Sequence, residues 1–155
     1  MKEKNKMQIV NYFESDNKEK LVEMLDTSDW GAAKFLVKLL QDGTFMSTLG
    51  GEGSLYMMLD GDKPVSFVTL TKQDCIADES MFPWAGFLFT YPQYRGNRYS
   101  EQIIKHALAE AKKQGHSRVY LATDHVGLYE KYGFVYLENR VDVWGDDSRI
   151  YYIEL

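Results

Sequence analysis

Residues 84–113, which read WAGFLFTYPQYRGNRYSEQIIKHALAEAKK, decide the fold of this chain. Residues 84–91 form an apolar, aromatic run with the length and composition of a β-strand. Pro92 ends this run, because proline has no N–H to donate to a neighbouring strand. After a polar turn, apolar residues recur every three or four positions through residues 103–111, which predicts a helix that Gly115 closes. The segment is therefore predicted to run from a strand through a tight basic turn into a helix.

The turn between this strand and this helix has the features of an anion site. The N–H groups of a first helical turn lack intrahelical partners and lie at the positive end of the helix dipole. Gly96 lets the main chain approach an anion closely, and Arg95 and Arg98 add positive charge. The same spacing also fits an ordinary strand-to-helix connection with two solvated arginines, because such turns are common.

The letters of this turn resemble the pyrophosphate loop of the GNAT superfamily, the acetyl-CoA-dependent N-acetyltransferases. The family pattern is R/Q-x-x-G-x-G/A, and residues 91–97 here read YPQYRGN. Placing Arg95 on the first position of the pattern puts Arg98 and Ser100 where the family usually has glycine and a small residue. Arg98 is the clearer departure: its side chain prevents a bare-backbone approach to a phosphate but can neutralise one.

A second stretch, residues 128–134 with the letters LYEKYGF, is similar to the family's l-Y-e-K-x-G-F. The resemblance places Tyr129, and not Tyr132, beside the CoA sulfur as the general acid. The alternative is that Tyr129 is a packing aromatic whose hydroxyl caps a neighbouring group. The family's usual lead-in often contains an asparagine, where this chain has Asp124 and His125.

The sequence leaves the general base open. His125 is the preferred candidate, because an imidazole changes its charge near neutral pH; its alternative role is to order the turn after the preceding strand. Asp78 and Glu79 lie in the loop before the central strand, a region that faces the acceptor in the resembled family. These two carboxylates and Trp30 are predicted to bind the acceptor, and the alternative for the carboxylates is a solvated loop.

The resemblance implies acetyl-CoA as co-substrate, without a metal, and direct transfer of its acetyl group to a primary amine of a small molecule or peptide. It also implies that the strands beginning near residues 84 and 117 splay apart. Main-chain groups of the first strand then pair with the pantetheine arm, and an N–H near its end bonds the thioester carbonyl. The cofactor-binding residues predicted in this way are Phe89, Thr90, Tyr91, Arg95, Gly96, Asn97, Arg98, Tyr99, Ser100 and Glu101.

The whole chain reads as an α/β protein with the order β-α-α-β-β-β-α-β-α-β-β. This order predicts a GNAT-type mixed sheet, mostly antiparallel, flanked by helices. Outside residues 84–113, a late helical turn is predicted at residues 128–132. The other predicted strands are residues 7–13, 54–59, 65–70, 117–123, 134–143 and 149–155.

Composition limits the class of protein. The 155 residues suffice for one domain, residues 1–155, and contents of 45% hydrophobic and 14% aromatic residues fit a globular chain. The single cysteine, Cys75, excludes an intramolecular disulfide and suggests a reducing cytoplasm. A nucleophilic Cys75 remains an alternative to an unreactive one.

Charge and hydropathy limit the partners. A net charge of −5 disfavours a nucleic-acid partner and weakly suits a cationic amine. No apolar run approaches the ~20 residues that a membrane span needs, so no membrane partner is expected; a homodimer is left open. A non-catalytic acyl-CoA sensor of the same fold is the main alternative function. A ligand-binding domain without CoA is the third. Aminoglycosides, polyamines, amino acids and peptide N-termini all remain possible acceptors.

Overall fold

A computed structural model describes residues 7–155, which form a seven-stranded sheet with helices on both faces. Residues 1–6 of the predicted domain lie outside the described residues. The strands are β1 (Met7–Asn11), β2 (Gly53–Asp60), β3 (Lys63–Thr71), β4 (Trp84–Thr90), β5 (Arg118–Thr123), β6 (Val135–Val141) and β7 (Asp147–Glu154). The α-helices are α1 (Lys18–Leu25), α2 (Gly31–Asp42), α3 (Phe45–Thr48) and α4 (Tyr99–Lys113). Short 3-10 helices span Tyr12–Glu14, Pro92–Tyr94 and Tyr129–Tyr132.

The predicted α/β class, the mixed sheet and the order of its main elements are confirmed. The structure adds α3, a four-residue helix that was not predicted because so short a segment shows no apolar period. The helical turn after β5 is a 3-10 helix, which Gly133 closes with a left-handed φ of +99°. Within residues 7–155, no helix is both long and apolar enough to cross a bilayer.

The sheet has the strand order β1-β2-β3-β4-β5-β7-β6, and only the β4–β5 pairing is parallel. Two residue pairs, Trp84 with Tyr120 and Ala85 with Leu121, join β4 to β5, and the strands separate beyond them. A bulge interrupts the pairing of β3 with β4, and Phe87 adopts a φ of +51° there. Because a bulge bends its strand, it accounts for this separation. The predicted splay is therefore observed.

The two largest apolar clusters hold the sheet in place, one on each face, and a third, smaller cluster surrounds Trp84. Successive side chains of a strand point to opposite faces, so Leu55 and Met57 pack with α1 and α2 while Tyr56 and Met58 pack with α4. The predicted stripe of α4 is buried in full: Ile103, Ile104, Ala107, Leu108 and Ala111. Both faces are thus covered, and the gap between β4 and β5 opens between well-packed layers.

Candidate active site

The gap between β4 and β5 opens a cavity of about 620 Å³, which we call the central groove. Gly86, Phe87 and Leu88 of β4 and residues 121–123 of β5 line it. Past Ala85, β4 has no strand partner on this side. Its main-chain N–H and C=O groups that face β5 are therefore unpaired by a strand, as at the edge of a sheet. An extended ligand that carries amides can pair with such an edge as an added strand.

A second cavity, of about 340 Å³, lies where β4 leads into α4, and we call it the loop pocket. Leu128, Lys131 and Tyr132 line its other side. Seven of the ten predicted cofactor-binding residues line it: Thr90, Arg95, Gly96, Arg98, Tyr99, Ser100 and Glu101. The structure therefore gathers most of the predicted anion site around one pocket at the N-terminus of a 15-residue helix.

Arg95 is held in place at the rim of the loop pocket. Its Nε donates to the carbonyl oxygen of Thr90 at 2.8 Å, and its guanidinium carbon lies 5.3 Å from the centre of the Phe89 ring. The amide of Asn97 braces the same turn by donating to the carbonyl oxygens of Tyr94 (3.1 Å) and Arg95 (3.4 Å). The guanidinium is thus fixed beside the helix N-terminus, as a phosphate-binding group should be.

Arg98 adopts the left-handed backbone conformation that is typical of glycine, the residue that the resembled family usually has at this position. Arg98, the N-cap residue directly before α4, has a φ of +62°, in the left-handed region that glycine enters freely and other residues enter at a cost. Its side chain is 84% exposed and pairs with Glu101 at 3.2 Å, while Lys105 pairs with the same carboxylate at 2.9 Å. The hydrogen bonds from these cations hold the pKa of Glu101 below its ordinary value, and the bond from Lys105 has the larger effect. The Glu101 carboxylate, on a residue that lines the loop pocket, is thus engaged by two cations.

Arg98→Gly and Arg98→Ala should weaken CoA binding to the same small extent, with a flatter salt dependence, because both remove one positive group. They should differ in stability. The alanine variant keeps the left-handed strain and the glycine variant does not, so Arg98→Gly should be more stable than Arg98→Ala by about 1 kcal/mol. Urea denaturation measures this difference. Tighter CoA binding by the glycine variant would instead show that the arginine obstructs the phosphate.

Ser100 connects the first turn of α4 to the end of β4. The hydroxyl oxygens of Ser100 and Thr90 lie 2.6 Å apart, and Ser66 on β3 lies 3.0 Å from the same Thr90 oxygen. Ser66 also donates to the carbonyl oxygen of Phe89 at 2.7 Å. This chain of hydroxyls fixes the helix N-terminus against the strand, so serine at this position has a structural reason.

Tyr91 serves the core of the protein. Its N–H donates to Val65 at 2.9 Å, its hydroxyl donates to the carbonyl oxygen of Met24 at 2.7 Å, and its carbonyl accepts from the N–H of Tyr94 at 2.9 Å. This geometry argues against the predicted cofactor contact of Tyr91 and against its N–H as a donor to the thioester carbonyl. Phe89, by contrast, stacks on Trp30 with ring centres 5.4 Å apart, and Trp30 lines the central groove.

Tyr129 lies at the wall of the central groove with 6% of its surface exposed. Tyr132, Phe134 and Tyr151 surround its ring at centroid distances of 5.9, 6.0 and 6.4 Å. No hydrogen bond to its hydroxyl occurs within residues 7–155, so the capping role has no support there. Burial raises the pKa of this phenol, and the charges of Tyr132 and Asp124 add to the rise. The hydroxyl therefore stays protonated at neutral pH and can donate a hydrogen bond, although the same rise makes it a weaker acid than an ordinary phenol.

His125 is exposed and lines the central groove beside Asp124. Its main-chain N–H donates to the hydroxyl of Thr123 at 3.1 Å, which orders the turn after β5. This bond fits the ordering role that the sequence also suggested. The role of the imidazole as a base stays a prediction.

Asp78 and Glu79 do not line either cavity among the described residues, whereas Trp30 lines the central groove. Asp78 pairs with Arg140 of β6 at 2.9 Å and accepts from the N–H of Ser80 at 2.9 Å. These bonds hold the pKa of Asp78 below its ordinary value, and those from Ser80 have the larger effect. Asp78 therefore ties its loop to the sheet, and the predicted acceptor contacts of this pair have no geometric support.

Cys75 also lines the central groove, and its surroundings disfavour a nucleophile. Burial raises the pKa of its thiol well above the ordinary value, and the charges of Asp74 and Asp142 raise it further. Because the thiolate is the reactive form, a thiol kept protonated at neutral pH is a poor nucleophile. Direct transfer, without an acyl group on Cys75, suits this environment.

Asp74 lines the central groove and was not predicted as a site residue. Burial raises the pKa of its carboxyl from 3.8 to about 6, against smaller lowering effects from the hydrogen bonds of Cys75. A signal was present in the sequence at Gly86, a lone glycine inside an apolar strand run. Such a glycine often marks the close approach of another group, and here that group is the Asp74 carboxylate.

Comparison with known proteins agrees with this geometry. A family model described as Acetyltransferase (GNAT) domain matches residues 33–137, whereas a search of curated proteins found no match. A GNAT family acetyltransferase from Elizabethkingia anophelis with acetyl-CoA bound has a TM-score of 0.69 at 15% identity, over 98% of this chain and 100% of that chain. An acetyltransferase from Streptococcus agalactiae gives 0.65 at 23% identity, over 96% and 98%. An aminoglycoside 6'-N-acetyltransferase complexed with coenzyme A gives 0.66 at 14% identity, over 95% and 96%.

The structural matches establish a shared fold over nearly the whole chain. The family model covers more than half of it, from α2 into β6, and includes the loop pocket, most of the central groove and Tyr129. The chain belongs to the GNAT acetyltransferase family.

Proposed function

We propose that this protein transfers the acetyl group of acetyl-CoA directly to a primary amine of a small molecule or peptide. One observation carries the proposal: the unpaired edge of β4 links the loop pocket at one end to Tyr129 and the central groove at the other. An anion site, an edge for an amide-bearing arm and a buried proton donor therefore lie in the order that a thioester of CoA requires.

The residues present fit CoA. Arg95, Arg98 and Lys131 supply positive charge around the loop pocket, and the first turn of α4 adds its N–H groups. The β4 edge offers main-chain partners to the pantetheine amides. When bound there, acetyl-CoA supplies a thioester whose acetyl carbon an amine can attack. Tyr129, which lines the central groove, donates a hydrogen bond or a proton toward the departing sulfur.

The central groove as a whole suits a cationic amine. Its lining in residues 7–155 contains five aspartates and neither lysine nor arginine. Trp30, Phe35 and Trp144 supply aromatic surface beside this negative charge, and aromatic faces also attract cations. The fold shared with an aminoglycoside 6'-N-acetyltransferase supports the choice of an amine as acceptor.

Two measurements test the proposed function. Acetyl-CoA should raise the melting temperature of the protein, because a ligand that binds only the folded state stabilises it. Release of free CoA should then be followed over a panel of aminoglycosides, polyamines, amino acids and peptides. Stabilisation together with amine-dependent CoA release supports the transferase. Stabilisation without release from any amine would favour the acyl-CoA sensor, and no stabilisation would contradict both.

A further inference from the structure

One buried carboxylate oxygen in the central groove has no bonding partner. Oδ1 of Asp74, in the loop between β3 and β4, is buried and makes no hydrogen bond within residues 7–155. Two other groove aspartates are engaged: Asp142 accepts from the N–H groups of Trp144 and Asp146, each at 3.0 Å, and Asp147 also accepts a bond. Buried polar atoms are nearly always hydrogen-bonded, so an unpaired oxygen on a carboxylate whose residue lines a cavity calls for a functional explanation.

Gly86 allows the Asp74 carboxylate to pack closely against β4 beside the central groove. A Cβ atom at residue 86 would lie 2.5 Å from Oδ1 and 3.0 Å from Cγ of Asp74. The 2.5 Å distance is shorter than real Cβ contacts, so the carboxylate can approach this closely only because residue 86 is glycine. Gly86 directly follows Ala85, the last β4 residue paired with β5. The carboxylate therefore lies where the two strands begin to separate.

The charges around Asp74 select the kind of ligand. The other titratable groups that line the groove are Cys75, Asp124, His125, Tyr129 and the three aspartates of residues 142–147. Among the described residues, no lysine or arginine lines the groove, so no such side chain there can neutralise the carboxylate. The raised pKa, about 6, leaves Asp74 ionised above that pH and makes it a stronger base than an ordinary aspartate. A positively charged group that donates hydrogen bonds, such as an ammonium group, satisfies all of these conditions.

We propose that Asp74 binds the ammonium group of the acceptor and acts as the general base of the reaction. This inference rests on the proposed function. The ammonium nitrogen gives one proton to Asp74, and its freed electron pair attacks the thioester carbon. As the C–N bond forms and the C–S bond breaks, Tyr129 gives its proton to the departing sulfur. The nitrogen loses its second proton, and this proton restores the Tyr129 hydroxyl. The proton on Asp74 leaves to solvent, so one amide, one thiol and one proton are produced.

The first test compares Asp74→Asn with the parent protein, using spermidine, kanamycin and n-hexylamine as probes. We expect kcat/KM to rise with pH through about 6 in the parent. In Asp74→Asn it should fall by about 10²-fold at pH 8 and lose this limb. Amine affinity for the CoA complex should drop about tenfold, and CoA affinity should stay unchanged. Asp62→Asn, in the exposed turn between β2 and β3, is the matched control and should behave as the parent.

Stability gives a readout that separates this role from a packing role. The folded-state pKa of Asp74 lies above its ordinary value, so folding disfavours the ionised form, and the cost grows as pH rises from 3.8 to about 6. Asp74→Asn removes that cost and should melt no lower than the parent at pH 8. A residue needed only for packing would lower the melting temperature and amine turnover together, which would overturn the proposal.

Gly86→Ala provides a second, independent variant, because it displaces the carboxylate while keeping its charge. Gly86→Ala should lower kcat/KM as Asp74→Asn does, and the double variant should be no worse than Asp74→Asn alone. Additive losses would mean that the glycine acts without Asp74 and would count against the proposal.

The remaining outcomes separate this inference from the proposed function. Parental turnover and pH profile in Asp74→Asn would overturn the inference and leave the transferase intact. Loss of the acid limb in His125→Gln, with its retention in Asp74→Asn, would make His125 the base. Amine binding that depends on Asp74 without any CoA release would support the ammonium site and contradict the transferase. Absence of both binding and turnover with all three probes would overturn both proposals.

Discussion

Tyr129→Phe is expected to turn over about 10²–10⁴-fold more slowly than the parent, the range that general acid catalysis typically supplies. The substitution keeps the ring, which packs between Tyr132, Phe134 and Tyr151, and deletes only the hydroxyl. That hydroxyl has no partner among residues 7–155, so its loss should leave no group unsatisfied. The rate constant for turnover should therefore fall without a change in folding.

The affinity for CoA separates the two interpretations of Tyr129. The loop pocket and the β4 edge supply most of the expected binding, so Tyr129→Phe should bind CoA and melt as the parent does. The measurements are steady-state kinetics, titration of CoA and thermal denaturation on one preparation. Joint loss of stability and CoA binding would identify a packing tyrosine. Turnover at the parental rate would mean that the proton reaches sulfur from elsewhere, most simply from water.

Arg95→Ala is expected to weaken CoA binding by at least about tenfold. A hydrogen bond to a charged group is worth roughly 1.5–3 kcal/mol, and each ~1.4 kcal/mol is a factor of ten. The structure adds a second cause, because Arg95 also anchors the turn to Thr90 and covers the Phe89 ring. The variant should therefore bind CoA more weakly and with less dependence on salt than the parent.

Lys113→Ala is the matched control for this change. Lys113 also carries one positive charge on the same segment, but it lies at the far end of α4 and pairs with Glu110 at 3.2 Å. It should bind CoA as the parent does, because a screened charge many turns away contributes little. If Arg95→Ala folds normally and binds CoA as tightly as Lys113→Ala, the loop pocket is not the phosphate site.

The parts of the fold that the sequence predicted are those with local signals. The strand–turn–helix of residues 84–113 is such a case, because a proline, a glycine and an apolar period all act within a few residues of the elements they define. The strands predicted at residues 54–59 and 65–70 were found for the same reason, and they correspond to β2 and β3. The bulge at Phe87 was not predicted, since it depends on how β4 pairs with β3 and not on its own letters.

The candidate site was predictable only in part. The turn around Arg95 and Gly96 was found because one continuous motif builds it. Asp74 was missed because it meets Gly86 only after the β3–β4 loop folds back, and no spacing in the chain records that contact. Tyr91 shows the reverse case, since its position beside the motif suggested a cofactor contact while its side chain packs into the core.

The two residue pairs between β4 and β5 also have a consequence for hydrogen exchange. Amide protons in the middle of a sheet normally exchange slowly, but those of Phe87–Thr90 that point toward β5 should exchange like protons of an outer strand. A ligand arm paired with this edge would slow them. It would also couple the opening of β1–β4 to that of β5–β7, two halves that share little direct bonding. Exchange measured with and without CoA should therefore show protection in both halves at once, including amides that touch no part of the ligand.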